Sequence, residues 1–432
     1  MKRLIINKLN DWKNSGAKKP LIINGARQIG KTYTMIEFAR NQYDNYIYLN
    51  FESDSSLDSI FERDYNISRI ITELEALYGK QIIEERTLII FDEIQASKHA
   101  LTTLKYFNEN NSSYHVISAG SLLGVALNKN KISFPVGKVD MIDMYPLNFK
   151  EFLLALNENQ LLSQIEKSFI TNTPLSKALH EKALDLVSQF LVVGGMPEAV
   201  SNYVLNKDYD LVRVIQKGIN ASYSSDMSKY STDVETIKTK AVYDSIPSQL
   251  AKENKKFQYN MIKSGARASQ YEASLEWLDK SGIIYTCYKI NEPKHPIEMS
   301  KNITSYKVYL SDVGLLTAKI NLNHNIILGN QEMLSSTAKG AIYENYVATE
   351  LKMKNYNLYY YESEGKSEID FIIQKEGLIL PVEVKSSDNV KAKSLLVYTN
   401  RFKPEYSIKV TSKNFGFENG IKNIPHYALF NI

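Results

Sequence analysis

A chain of 432 residues is too long for one ordinary hydrophobic core and points to roughly two to four domains. Its 44% hydrophobic and 23% charged content is that of a soluble globular protein, and a formal net charge of +4 is too mild to argue for a polyanionic partner by itself. The single cysteine, Cys287, excludes an intrachain disulfide and fits a reducing, cytoplasmic compartment, and no apolar run approaches the roughly 18 residues of a membrane span.

The first residues, Met1 to Ile6, begin like a leader, but the apolar run stops at Asn7 with no small-residue cleavage site, so the segment reads as part of a helix. Short apolar runs then alternate with helical patterns. Strands are expected at 21–24, 46–51, 87–92 and 114–118, with a further strand within 139–147. Helices are expected at 31–40, 67–78 and 101–107. This alternation implies a mainly parallel sheet covered by helices on both faces. From Phe149 to about Tyr230 the period is helical, broken by the turn signal Gly194-Gly195-Met196-Pro197. Residues 233–290 read as helix, turn, helix, helix, strand, an order that suits a winged helix-turn-helix and also other small helical domains. The last segment reads as a helix at 340–353 followed by strands at 356–362, 368–374 and 378–385, a second and smaller α/β unit.

Gly25-Ala26-Arg27-Gln28-Ile29-Gly30-Lys31-Thr32 has the spacing G-x-x-x-x-G-K-[ST], after an expected strand and at the start of an expected helix. Glycines let successive backbone N–H groups face a phosphate, and the helix adds its positive end. Lys31 is expected to reach the β- and γ-phosphates of ATP and Thr32 to ligate Mg²⁺. The apolar strand Leu88 to Phe91 ends in Asp92-Glu93, which places Asp92 beside Mg²⁺ and Glu93 where it can polarise an attacking water. At the end of the next strand Ser121 is a candidate sensor of the γ-phosphate, with a plain turn serine as the competing reading. Arg27 is a candidate contact to phosphate or to a neighbouring subunit, or else a solvated arginine.

Near the carboxyl end, Glu383 and Lys385 share one face of a strand, and Asp370 joins them if its own strand forms a hairpin with theirs. Glu344 on the preceding helix completes a set that can hold Mg²⁺ beside a phosphodiester, the pattern of restriction-endonuclease-like nucleases. Charged residues at strand ends account for the same run, and that reading stays open. The histidines are scattered, which argues against zinc. Lys255, Lys256, Lys263 and Arg267 are candidate phosphate contacts or a solvated helix face.

With these residues in view, the chain resembles, over nearly its full length, the bacterial and archaeal AAA-type ATPases that carry a carboxyl-terminal domain of unknown function. The marks are 25–32, Ile-Phe-Asp-Glu-Ile-Gln at 90–95, Ala-Gly-Ser at 119–121 and Tyr-Pro-Leu-Asn-Phe-Lys-Glu-Phe-Leu at 145–153. They continue with Gly-Gly-Met-Pro-Glu-Ala-Val at 194–200, Tyr-Leu-Ser-Asp-Val-Gly-Leu-Leu at 309–316, Glu-Ile-Asp-Phe at 368–371 and Val-Glu-Val-Lys at 382–385. The resemblance implies a P-loop ATPase domain over 1–160, a helical lid or linker over 161–232, a winged-helix domain over 233–330 and a restriction-endonuclease-like domain over 331–432. It also implies that Glu344, Asp370, Glu383 and Lys385 form one site. One departure is Gly137-Lys138, where such proteins usually carry Gly-Arg, and a lysine offers a point charge without the planar fork. For Gly194 to Val200 and Asp312, a tight turn and a helix cap are favoured over catalysis. The expected function is Mg²⁺-dependent ATP hydrolysis coupled to DNA through the winged-helix and carboxyl-terminal domains, in the cytoplasm, without a membrane partner and with a homo-oligomer left open. The rivals are an ATP-switched module that grips nucleic acid or protein without cutting, and a nuclease gated by ATP.

Overall fold

The computed structural model describes residues 1–16, 18–110, 113–120, 135–229, 232–363, 367–386 and 393–432. The chain separates into two compact units, one made of Arg3–Tyr145 with Lys280–Gly282 and the other of Pro146–Asp279 and Ile283–Ile432 with Met1–Lys2.

The first unit is built on five parallel strands, β1 (Leu21–Asn24), β2 (Asn45–Asn50), β3 (Thr87–Asp92), β4 (His115–Gly120) and β5 (Asp140–Asp143). Their order is β2-β3-β4-β1-β5, and every neighbouring pair is parallel. Parallel strands covered on both faces read as unbroken apolar runs, and β3 and β4 are buried at every position. Helices at Lys31–Gln42, Ile67–Tyr78 and Lys98–Glu109 supply the cover. Phe91 meets Phe51, Phe61 and Phe107 edge-to-face with ring centroids 5.6, 5.3 and 6.4 Å apart. That aromatic packing pins the carboxyl end of β3, where Asp92 follows directly.

The second unit opens with helices Phe149–Ala155, Asn159–Thr171, Lys177–Val193, Pro197–Asn206 and Tyr209–Lys229, then Asp233–Leu250 and Ala268–Lys280. Between the last two stands a single 3-10 turn, Tyr259–Met261, in place of the further helix expected from the sequence. The segment is polar and includes Gly265 at φ +76°, so it lacks the apolar stripe that would hold a helix down. Its sheet has eight strands: β6 (Ile284–Ile290), β7 (Lys301–Leu310), β8 (Tyr359–Glu362), β9 (Glu368–Lys375), β10 (Leu378–Val384), β11 (Ser407–Thr411), β12 (Gly416–Glu418) and β13 (Ile421–Pro425). The order is β12-β13-β11-β10-β9-β8-β6-β7, with parallel and antiparallel neighbours. Because β6 pairs with β8, this one sheet runs across residue 330.

The marks at 194–195 and 312 meet within this unit. Asp312 caps helix Val313–Lys319 through the Leu315 N–H (2.8 Å), and its other oxygen accepts from the Gly195 N–H (2.5 Å). Gly194 adopts φ +68°, and any Cβ there would run into the Asp312 carboxylate. The joint is structural, a cap and a tight turn.

Helix Ser336–Met353 is buried from Ala341 through Leu351 without interruption. Such a helix carries polar side chains only if they find partners. Glu350 Oε1 accepts from the Phe149 N–H (2.7 Å), while Oε2 has no hydrogen-bond partner. Burial pushes this carboxyl up to about 8, with Glu151 adding to the rise. An acid whose folded pKa lies above its unfolded value destabilises the fold as pH rises between the two, because the unfolded chain releases its proton first. Glu350→Gln keeps the acceptor for Phe149 and removes the proton. Thermal unfolding between pH 4.5 and 8 should therefore lose a dependence of up to about 1.4 kcal/mol per pH unit, and an unchanged pH profile would refute this account.

Candidate functional site

The loop between β1 and helix Lys31–Gln42 turns through three left-handed or glycine-only conformations: Gly25 at φ 148°, Gln28 at φ 64° and Gly30 at φ 89°. A Cβ on Gly25 would strike the Met144 carbonyl, whose residue is itself tied to Asn24 by an N–H···O bond of 2.8 Å. Gly30 is the N-cap and makes no side-chain cap, which leaves the first N–H groups of the helix to an outside acceptor. Ala26 and Ile29 are buried and hold the loop to the unit, while Arg27 reaches Glu52 at 3.4 Å.

Lys31 is buried beneath this turn, and its Nζ donates to the carbonyls of Gly25 (2.9 Å) and Ala26 (2.7 Å). Burial pulls its pKa down to about 8, against the opposing pull of Glu93 and Asp92. Thr32 Oγ1 donates to Asp92 Oδ2 at 2.7 Å, so the helix start and the strand end meet. Asp92 also accepts from the Tyr48 hydroxyl (2.8 Å) and the Glu93 N–H (3.1 Å). Burial raises the Asp92 carboxyl, and the Thr32 and Tyr48 hydrogen bonds oppose that rise. Glu93 is a non-glycine residue at φ 49°, and Gln95 donates to its Oε2 at 2.5 Å. Residues held in that backbone region concentrate at working sites, where the surroundings over-determine them.

Thr32 and Asp92 together offer two oxygens of the hard type that Mg²⁺ selects, beside a buried cation and an uncapped helix end. A Mg²⁺–nucleotide therefore fits these residues. Ser121 lies outside the described residues, and Lys138 Nζ pairs with Glu109 at 3.2 Å.

Two contributors carry no sequence mark. Arg3 donates to the carbonyls of Ile29 (2.8 Å) and Tyr145 (2.6 Å), bracing the phosphate loop from the start of the chain. Tyr48 sits in β2, where its hydroxyl looks like any other strand tyrosine until β2 pairs with β3.

In the second unit, β9 and β10 form the expected antiparallel hairpin, with Val382 opposite Phe371. Asp370 Oδ2 accepts from the Val384 N–H (2.8 Å), and Lys385 Nζ pairs with Glu383 at 2.5 Å. Glu344 is buried and pairs with Lys255, with Lys307 at 3.9 Å, and accepts from the Tyr309 hydroxyl at 3.3 Å. Lys307 is fully buried and also pairs with Glu368. Glu344 and Glu383 push the Asp370 carboxyl up after burial itself, so the four expected residues do share one electrostatic neighbourhood. They share it with Lys255 and Lys307. Among the described residues no group of three or more His, Cys, Asp or Glu side chains is arranged to hold a metal ion.

Residues 17–153 match the family described as an AAA domain, and the five-stranded parallel sheet with flanking helices is the P-loop NTPase arrangement. Residues 184–325 match a domain of unknown function (DUF8612), and residues 339–429 match another (DUF4143). An uncharacterised protein of Methanocaldococcus jannaschii is 21% identical over 238 residues, which are 52% of this chain and 48% of that one. The match thus spans about half the length of that relative. Among solved structures, a Walker-type ATPase of Pyrococcus abyssi aligns at 14% identity and TM-score 0.44, over 73% of this chain and 94% of that one. The ORC2 protein of Aeropyrum pernix, in its ADPNP–ADP complexes, aligns at 13% and 0.39, over 79% and 94%.

Arg3→Ala removes both braces of the loop while leaving Lys31, Thr32 and Asp92 in place. Losing one or two such hydrogen bonds costs about 1–2 kcal/mol, so Mg-ATP should bind roughly five- to thirtyfold more weakly. Titration with a fluorescent ATP analogue would read this, and unaltered affinity would discard the bracing role.

Proposed function

From an AAA domain at the amino-terminal end, followed by two domains of unknown function, we propose a P-loop ATPase that hydrolyses ATP with Mg²⁺ and couples turnover to DNA held by the second unit. The observation that carries the nucleotide part is the Thr32–Asp92 hydrogen bond beside the buried Lys31. Lys31 exchanges the Gly25 and Ala26 carbonyls for phosphate oxygens, and an anion there favours its charged form. Thr32 and Asp92 are the residues that would hold Mg²⁺, which supplies charge neutralisation at the β- and γ-phosphates. Glu93, oriented by its left-handed backbone and by Gln95, accepts the proton of the attacking water. Ser121 remains the candidate for sensing the γ-phosphate, and Arg27 for contact with phosphate or a second copy of the chain.

Lys255 and Lys256 are turned inward onto Glu344 and Glu362, so the exposed Lys263 and Arg267 are what remains of the basic candidates. The lysine-neutralised carboxylates of the second unit favour a module that grips without cutting over an ATP-gated nuclease. The single cysteine fits a cytoplasmic setting, and no helix among the described residues is long and apolar enough to cross a membrane.

Lys31→Ala should abolish ATP turnover, and turnover at the wild-type rate would discard the assignment. Glu93→Gln should still bind Mg-ATP while turnover falls by roughly 10²–10⁴-fold, a split that a merely structural acid would not produce. Turnover of the wild-type protein, measured with and without single- and double-stranded DNA, tests the coupling. An unresponsive rate, together with gel shifts that ignore ATP, would remove the coupling of turnover to DNA.

A further inference from the structure

The carboxylates of the second unit are already supplied with cations by the chain itself. Glu344, Glu368, Asp370 and Glu383 stand against Lys255, Lys307 and Lys385. A divalent metal placed among the carboxylates would face these ammonium groups at close range, so the residues as arranged do not fit the metal that the nuclease resemblance implies. Two of the lysines are fixtures of the sheet. Lys307 lies inside β7 with no exposed surface, and Lys385 follows β10 on the same strand face as Glu383.

Lys255 is different. It comes from the non-helical stretch after helix Asp233–Leu250, and its side chain passes over Gly340, where an added Cβ would stand 3.8 Å from Nζ. Gly340 lies one helical turn before Glu344, so the Lys255 side chain runs along the face of the helix that carries that carboxylate. The neighbours of Lys255 hold the stretch in place: Lys256 pairs with Glu362 at 2.5 Å and the Phe257 N–H donates to the Tyr306 carbonyl at 2.8 Å. One acceptor in the cluster is left over, for Glu383 Oε2 is buried and has no hydrogen-bond partner.

We infer that Lys255 is an internal counter-ion standing where a metal would: its ammonium group fills the cation position at Glu344 and, with Lys307 and Lys385, makes the Glu344–Asp370–Glu383 cluster a structural joint that takes up no divalent metal. The inference stands apart from ATP chemistry and is tested without nucleotide.

Mn²⁺ is the probe, followed by electron paramagnetic resonance on the full-length protein. The wild type should show no Mn²⁺ site that Asp370→Asn removes. Lys255→Gln, which leaves Lys307 and Lys385 among the acids, should show none either. Lys255→Gln also strands a buried carboxylate, so its thermal midpoint should fall by several degrees and recover when Glu344→Gln is added, as a coupled pair requires. A wild-type Mn²⁺ site sensitive to Asp370→Asn would overturn this reading. So would a folded Lys255→Gln protein whose thermal midpoint is unchanged. Should that variant not fold, failure of the double variant to restore folding would overturn it as well.

Discussion

Asp92 is the point on which the first unit turns. Its carboxylate takes hydrogen bonds from Thr32, Tyr48 and its own neighbour's N–H, so one side chain ties the start of a helix, the neighbouring strand β2 and the end of β3. The tie requires two things of the surrounding fold. The loop before Thr32 must double back tightly, which only glycine allows beside the Met144 carbonyl. The end of β3 must not drift, which the ring packing around Phe91 secures. Core packing and site geometry are here one constraint.

The second unit meets a different demand, that of burying charge. A buried carboxylate is tolerated when a cation and hydrogen bonds compensate the lost water, and removing one partner costs far more than the pair contributes. Glu344 obeys this rule through Lys255, Lys307 and the Tyr309 hydroxyl. Glu350 obeys it only halfway, with one oxygen satisfied, and its proton affinity rises accordingly. Asp312 lies between, held by backbone N–H groups yet with its carboxyl pushed up to about 6 by burial.

What was legible in the sequence follows from how local each feature is. The phosphate loop, the five strands of the first sheet and the hairpin of β9 and β10 are written in contiguous spacing and in apolar runs that need no distant partner. The pairing of β6 with β8 is not, because it joins segments some seventy residues apart with no local signal, like other non-local strand pairings. Arg3 braces a loop and a strand end that lie far along the chain, and a lone arginine near the start reads as surface charge. Lys307 is the sharpest case. A lysine in a strand is normally exposed, and only the acids brought in from helix Ser336–Met353 and from β9 make a buried one tolerable.

The two buried lysine systems also differ in what they hold, and so in how much charge pairing each already has. Lys31 rests on two neutral carbonyls of its own loop. Lys255 rests on an ionised carboxylate. An ammonium group gains more from an anionic acceptor than from a neutral carbonyl, so under the proposed function the exchange of the two carbonyls for phosphate oxygens is a net gain in charge pairing. Separating Lys255 from Glu344 leaves two opposite charges to be satisfied elsewhere. Lys31 has no counter-ion among its hydrogen-bond partners, whereas Lys255 already has one.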